Sequence, residues 1–137
     1  MKQVVFALMV FFVFFISCTD EVSKVSQVKE VQITDLKDHN MKIIPENPTS
    51  MDDIKLVVFG DCTYNKLSGI TTNGKSIEIR KQFNSMIKWA CFIHNDTISL
   101  GKLTEGTYTV NYKLIDVSTQ VSNPIALSFY FNLVVAQ

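Results

Sequence analysis

From Met41 to Gln137 the apolar positions recur with a period of two, the repeat of a strand with one buried face. Ile54, Leu56 and Val58 alternate with Lys55 and Val57, and Ile77 and Ile79 flank Glu78. Ile87, Trp89, Cys91 and Ile93, set against Lys88 and Ala90, predict a further inward-facing row. Tyr108, Val110, Tyr112 and Leu114 share one face while Thr107, Thr109, Asn111 and Lys113 share the other. The last run places Ile125, Leu127, Phe129, Phe131 and Leu133 opposite Ala126, Ser128, Tyr130 and Asn132. Helical spacing is hard to find, apart from a turn near 81–85.

Turn residues separate these runs. Asn73-Gly74 predicts a two-residue hairpin, in which both central residues take positive φ. Asn95-Asp96, Glu105-Gly106 and Ser122-Asn123-Pro124 supply the other breaks. About seven short strands in a segment of this size predict an all-β fold, a two-sheet β-sandwich.

The N-terminal pattern is different. Lys2 is followed by an unbroken apolar stretch from Val4 to Ile16 and then Ser17-Cys18. A positive start, a short apolar core and a small residue at the cut predict a secretory signal over 1–17. The core falls short of the roughly 20 residues of a spanning helix. Phe15-Ile16-Ser17-Cys18 resembles the lipobox of bacterial lipoproteins, with Phe15 where Leu, Val or Ile is usual. That resemblance implies removal of 1–17, acylation of Cys18 by diacylglycerol and a further chain such as palmitate, and a membrane partner reached through that lipid. Thr19-Asp20-Glu21 resembles the short acidic tract of Bacteroidetes surface lipoproteins, which implies the outer membrane and its outer face.

Residues 18–40 are rich in Lys, Asp, Glu, Ser and Gln and contain no Phe, Trp or Tyr, so they read as a polar tether. Val28 to Ile33 also fits a first edge strand. The folded domain is expected over 41–137. Its charges balance: 13 basic and 13 acidic residues in the whole chain leave no basic field for nucleic acid.

Leu103-Thr104-Glu105-Gly106-Thr107-Tyr108 resembles the E–F corner of immunoglobulin-like domains. There a tyrosine phenol bonds back to the backbone, which gives Gly106 and Tyr108 the role of a structural corner. Val110 stands where antibody-type members have the second cysteine of the inter-sheet disulfide. Together with Ile44-Pro45-Glu46-Asn47-Pro48-Thr49-Ser50, Cys62, Asn73-Gly74 and Cys91, the stretch is similar to small bacterial surface lipoproteins with an Ig-like domain. The resemblance implies architecture and location and no catalytic residue.

With Cys18 lipidated, Cys62 and Cys91 are left, and an exported, oxidising compartment favours their pairing. Two buried thiols are the alternative; no C-x-x-C spacing suggests a metal or redox centre. Catalytic chemistry is sparse. His39 falls in the tether and His94 at the expected Asn95-Asp96 turn, without a nucleophile motif. Asp52, Asp53 and Asp61 fall short of the six to eight oxygens of a calcium site. Neither metal nor cofactor is expected.

Asn47-Pro48-Thr49-Ser50 resembles the first inhibitory loop of chagasin-type cysteine-protease inhibitors, without that family's other two loops. Pro48 and the Thr49-Ser50 pair also suit a plain strand break and turn. Phe59, Tyr64, Phe83, Phe92 and Tyr130 fall off the inward-facing rows, and of these Tyr64, Phe92 and Tyr130 are the candidates for facing a ligand. The sequence therefore predicts a tethered, non-catalytic module that binds a protein or glycan. The alternatives are an inhibitor-like Ig domain and a small exported hydrolase.

Overall fold

A computed structural model describes residues 30–87, 90–118 and 125–137. The expected signal, Cys18 and the Ser122-Asn123-Pro124 turn lie outside the described residues, as does Trp89. The chain forms an all-β sandwich. Its strands are β1 (Val31–Gln32), β2 (Met41–Ile44), β3 (Ile54–Cys62), β4 (Lys66–Asn73), β5 (Ser76–Phe83), β6 (Ile93–Gly101), β7 (Gly106–Asp116) and β8 (Ile125–Val135). One sheet has the order β1-β8-β7-β5-β4 and the other β2-β3-β6.

The core is where the alternating rows meet. Ile54, Leu56 and Ile98 from the three-stranded sheet face Ile77, Ile79, Val110, Tyr112, Phe129 and Phe131 from the other. Each such aliphatic side chain contributes roughly 1.5–3 kcal/mol by leaving water. Tyr112 stacks on Phe129 with ring centroids 5.0 Å apart.

Connections follow from sheet changes. β3 passes to β4 in the opposite sheet, β5 returns to β6, and β6 leads back to β7. Because β6 serves as the crossover that parallel strands require, β7 lies parallel to β5, with Ile79 opposite Tyr112. The sheets of the immunoglobulin plan are antiparallel, so this pairing is a departure from it. The edge strand β4 is mostly exposed, with Ile70 half-buried against the core, which suits a strand with one side unpaired.

Several details differ from the sequence reading. The sandwich has eight strands, because Val31–Gln32 pairs with Phe129–Tyr130 and Ile33 enters the core. Ordered structure thus reaches back into the segment assigned to the tether, as the edge-strand reading of 28–33 allows. The hairpin turn is centred on Gly74-Lys75, since Asn73 pairs with Ser76. Only Gly74 has positive φ there (57°), the pattern of a type II′ turn with glycine first.

The row Ile87, Trp89, Cys91 and Ile93 is not an inward-facing strand. The described part of 84–92 crosses between sheets, β6 begins only at Ile93, and Ile93 is 74% exposed. Asn95-Asp96 is no turn; both residues lie within β6, and His94 pairs in register with Asp61 of β3. The segment near 81–85 starts as strand, with Lys81 to Phe83 in β5.

Candidate functional site

Two polar assemblies and one cleft stand out. The first assembly is the corner at the start of β7. The Tyr108 phenol donates to the Thr104 carbonyl at 3.0 Å. Lys75, the second residue of the β4–β5 turn, reaches across and donates to the Glu105 carbonyl (2.6 Å), the Thr104 hydroxyl (3.1 Å) and the Tyr108 oxygen (3.1 Å). Its ammonium also lies 4.2 Å from the centre of the Tyr108 ring. Gly106 suits this corner because its φ of 128° is one that L side chains rarely adopt. Bonds from Thr104 and Lys75 favour the phenolate and hold the Tyr108 phenol below its ordinary value.

The second assembly is buried between the sheets. Lys81 follows Ile77 and Ile79 on the inner face of β5 and has no exposed surface. A lysine is found so deep only when paired. Its Nζ donates to Asp61 Oδ2 of β3 and to Asp96 Oδ2 of β6, the latter at 2.6 Å. Asp96 is in step with inward-facing Ile98. Asp61 would face outward by simple alternation from Leu56. A register shift between Val58 and Asp61, with Gly60 at φ 67°, adds a residue and turns it inward. Asp61 Oδ1 accepts from the Cys62 amide (2.9 Å) and the Asn65 side-chain amide (2.7 Å). Beside the cluster, burial first, and then the Asp61 and Asp96 charges, push the Tyr112 phenol well above the ordinary tyrosine range.

A cleft of about 390 Å³ opens beside this cluster at Asp61. Phe59, Leu127, Val31 and Leu114 form apolar walls, with Asp61, Asn65, Tyr112 and His39 among the polar lining groups. His39 stacks on Phe129 at a centroid distance of 5.9 Å. The cleft lies toward the end where β3, β5 and β7 finish and β4, β6 and β8 begin. Among the described residues, the large apolar side chains that stay exposed belong to that half of the sandwich, all but Ile44, Met51 and Val134.

The sequence-derived candidates are scattered over this frame. Cys62 and Cys91 form a disulfide, with Cα atoms 5.5 Å apart, that ties the 84–92 crossover to the end of β3. Cys91 is on the surface, not turned toward the core. Phe92 is 70% exposed beside that bridge, where its carbonyl accepts from Thr63 next to half-buried Tyr64. Tyr130 is not with them: it sits on β8 with its hydroxyl 3.3 Å from Gln32 Oε1. The three aromatics do not form one face.

The 47–50 segment is pinned. Pro48 is buried, Ala136 bonds to both the Pro48 carbonyl and the Ser50 amide, and Asp52 accepts from the Thr49 amide and hydroxyl at 2.7 and 2.8 Å. Those bonds hold the Asp52 carboxyl below its usual range. Asp52 and Asp53 precede β3 and Asp61 lies near its far end, so the three carboxylates do not converge. Among the described residues no three His, Cys, Asp or Glu side chains gather as metal ligands. No helix there is long and apolar enough to cross a membrane. The chain matches no known protein family, no curated protein and no solved structure.

Sequence reasoning missed Lys81, Asp96 and Lys75. For the first two a signal exists: a charged residue falls in the apolar phase of its strand, Lys81 after Ile77 and Ile79, and Asp96 before Ile98.

Proposed function

We propose that the chain is the precursor of a bacterial outer-membrane lipoprotein, tethered through lipid on Cys18, whose Ig-like sandwich is a non-catalytic binding module. The observation that carries the binding reading is the open cleft walled by the exposed side chains of Val31, Phe59 and Leu127. Large apolar side chains left exposed together at a cleft mark a surface that an interaction covers. An apolar cleft with a few convergent polar groups is also the usual form of a ligand site. The lipobox-like Phe15-Ile16-Ser17-Cys18 supports the tether. The tyrosine corner supports the Ig-like reading, with the parallel β5–β7 pair as a variation on that plan.

The ligand enters apolar group first, against Phe59 and Leu127, and meets Asn65 and Asp61 below. Anilinonaphthalene sulfonate is a suitable probe of the protein extracted from its membrane. Its fluorescence should rise on binding, and the paired change Phe59→Ser and Leu127→Ser should abolish the rise. An equal response from wild type and variant would overturn the cleft as the binding site. Separately, Cys18→Ala should release the protein from the membrane fraction; retention would overturn the lipid tether.

A further inference from the structure

We infer that Lys81 and Asp61 form an intramolecular isopeptide bond, a covalent tie between the two sheets, and that Asp96 relays the proton. An amine and a carboxyl held in contact away from water are the reactants of an amide. Lys81 is fully buried, Asp61 nearly so, and the two come from opposite sheets, β5 and β3.

The surroundings of Asp61 match what the reaction needs. Oδ2 faces the amine, while Oδ1 accepts from the Cys62 amide and from Asn65 Nδ2. Two fixed donors on one carboxyl oxygen stabilise the negative charge that develops there when a nucleophile attacks, the role of an oxyanion hole. Asp96 Oδ2 lies 2.6 Å from the same Lys81 Nζ. Asp96 is also the more exposed of the two carboxylates, which suits a group that exchanges protons.

The step balances without any added reagent. Proton transfer within the cluster yields the neutral Lys81 amine and the protonated Asp61 acid. Nζ attacks Asp61 Cγ, and the Oδ1 charge is held by the Cys62 and Asn65 donors. Asp96 takes the proton released by Nζ and delivers it to the departing Oδ2 hydroxyl. The C–O bond breaks, the C–N bond remains, and one water leaves. Burial at Lys81, which has no exposed surface, then protects the amide from hydrolysis on the side away from the cleft.

The test is peptide mapping by mass spectrometry of the whole protein from its membrane, after denaturation, reduction, alkylation and trypsin. Reduction matters, because Cys62 and Cys91 would otherwise join the peptides in question. The bond predicts that cleavage after Lys81 fails and that peptide 81–88 is joined to 56–66 with the loss of one water. Asp96→Ala should reduce the joined fraction at least tenfold while the folded domain keeps its disulfide. Separate peptides from wild type would overturn the bond. A junction to 89–102, which carries Asp96, would overturn Asp61 as the electrophile, and full joining in Asp96→Ala would overturn the relay.

Discussion

Tyr108→Phe removes one oxygen and leaves the buried ring, so it isolates the hydrogen bonds of the corner. The oxygen lost donates to the Thr104 carbonyl at 3.0 Å and accepts from Lys75 at 3.1 Å. A neutral bond contributes about 1 kcal/mol net, and a charged donor somewhat more. Lys75 sits at the surface and keeps Glu105 and the Thr104 hydroxyl as acceptors, which offsets most of its share. The expected destabilisation is therefore about 1.5 kcal/mol. For a domain of about 100 residues each kcal/mol lowers Tm by roughly 4–8 °C, which gives a fall of about 6–12 °C.

The assay is thermal unfolding followed by near-ultraviolet circular dichroism, disulfide intact, with Lys75→Met and the double variant to close a cycle. Groups in one network couple by about 0.5–3 kcal/mol, so the two changes together should lose less than their sum. A Tm within about 2 °C of wild type for Tyr108→Phe, or strictly additive losses, would refute the corner as a cooperative unit.

Three further outcomes follow from the structure. The Cys62–Cys91 bridge spans a sequence separation of 29, so Cys62→Ala with Cys91→Ala should lose up to about 3.6 kcal/mol by loop entropy, less where a Lys81–Asp61 bond already closes most of that loop, read as a lower urea midpoint; an unchanged midpoint would count against it. The Tyr112 phenol is raised by burial, so its contribution is complete below the ordinary tyrosine value and is lost as pH climbs above it; Tyr112→Phe should flatten the alkaline fall in stability, and tyrosinate absorbance should show one late-titrating phenol. Glu78 is held below the usual range by Lys113, at 2.6 Å, then by Arg80, so its contribution exists at neutral pH and is lost as pH falls through its lowered value. Glu78→Gln should cost at most about 1 kcal/mol at neutral pH and nothing in strong acid, as measured by paired urea titrations.

Much of the fold is legible because period-two alternation records which face a residue presents. The rows Tyr108 to Leu114 and Phe129 to Leu133 emerge as paired strands of one sheet, Tyr108 opposite Leu133 and Tyr112 opposite Phe129. A single Asn-Gly pair places the hairpin, although its turn is centred one residue later. What alternation conceals is a change of phase. At the bulge near Gly60 one extra residue reverses every later side chain of β3, so Asp61 reads as surface and lies in the core. Lys81 and Asp96 were hidden for a related reason: a charge at an inward position looks like a strand ending or a turn until its partner on the other sheet is known. The apolar row around Cys91 failed in the opposite sense: of its described members, Ile87 and Cys91 lie on the surface of a crossover stapled by a disulfide, and Ile93 is exposed at the start of β6.

The position of the chain's entry bears on what the cleft would meet. Glu30 lies 3.3 Å from the Ser128 hydroxyl, and β1 then runs along β8 past the cleft wall at Val31. Entry is therefore in the half of the sandwich that carries the exposed apolar surface. On the lipoprotein reading, eleven residues lie between Cys18 and Glu30, twelve steps of the backbone. Whatever their conformation, they cannot span more than about 43 Å at 3.6 Å per residue. That bound limits how far the cleft can stand from the membrane, whether its ligand is membrane-borne or captured from solution. An insertion of a flexible segment between Cys18 and Glu30 separates the cases: it should weaken engagement of a membrane-borne ligand by lowering effective concentration, and leave a soluble one unaffected.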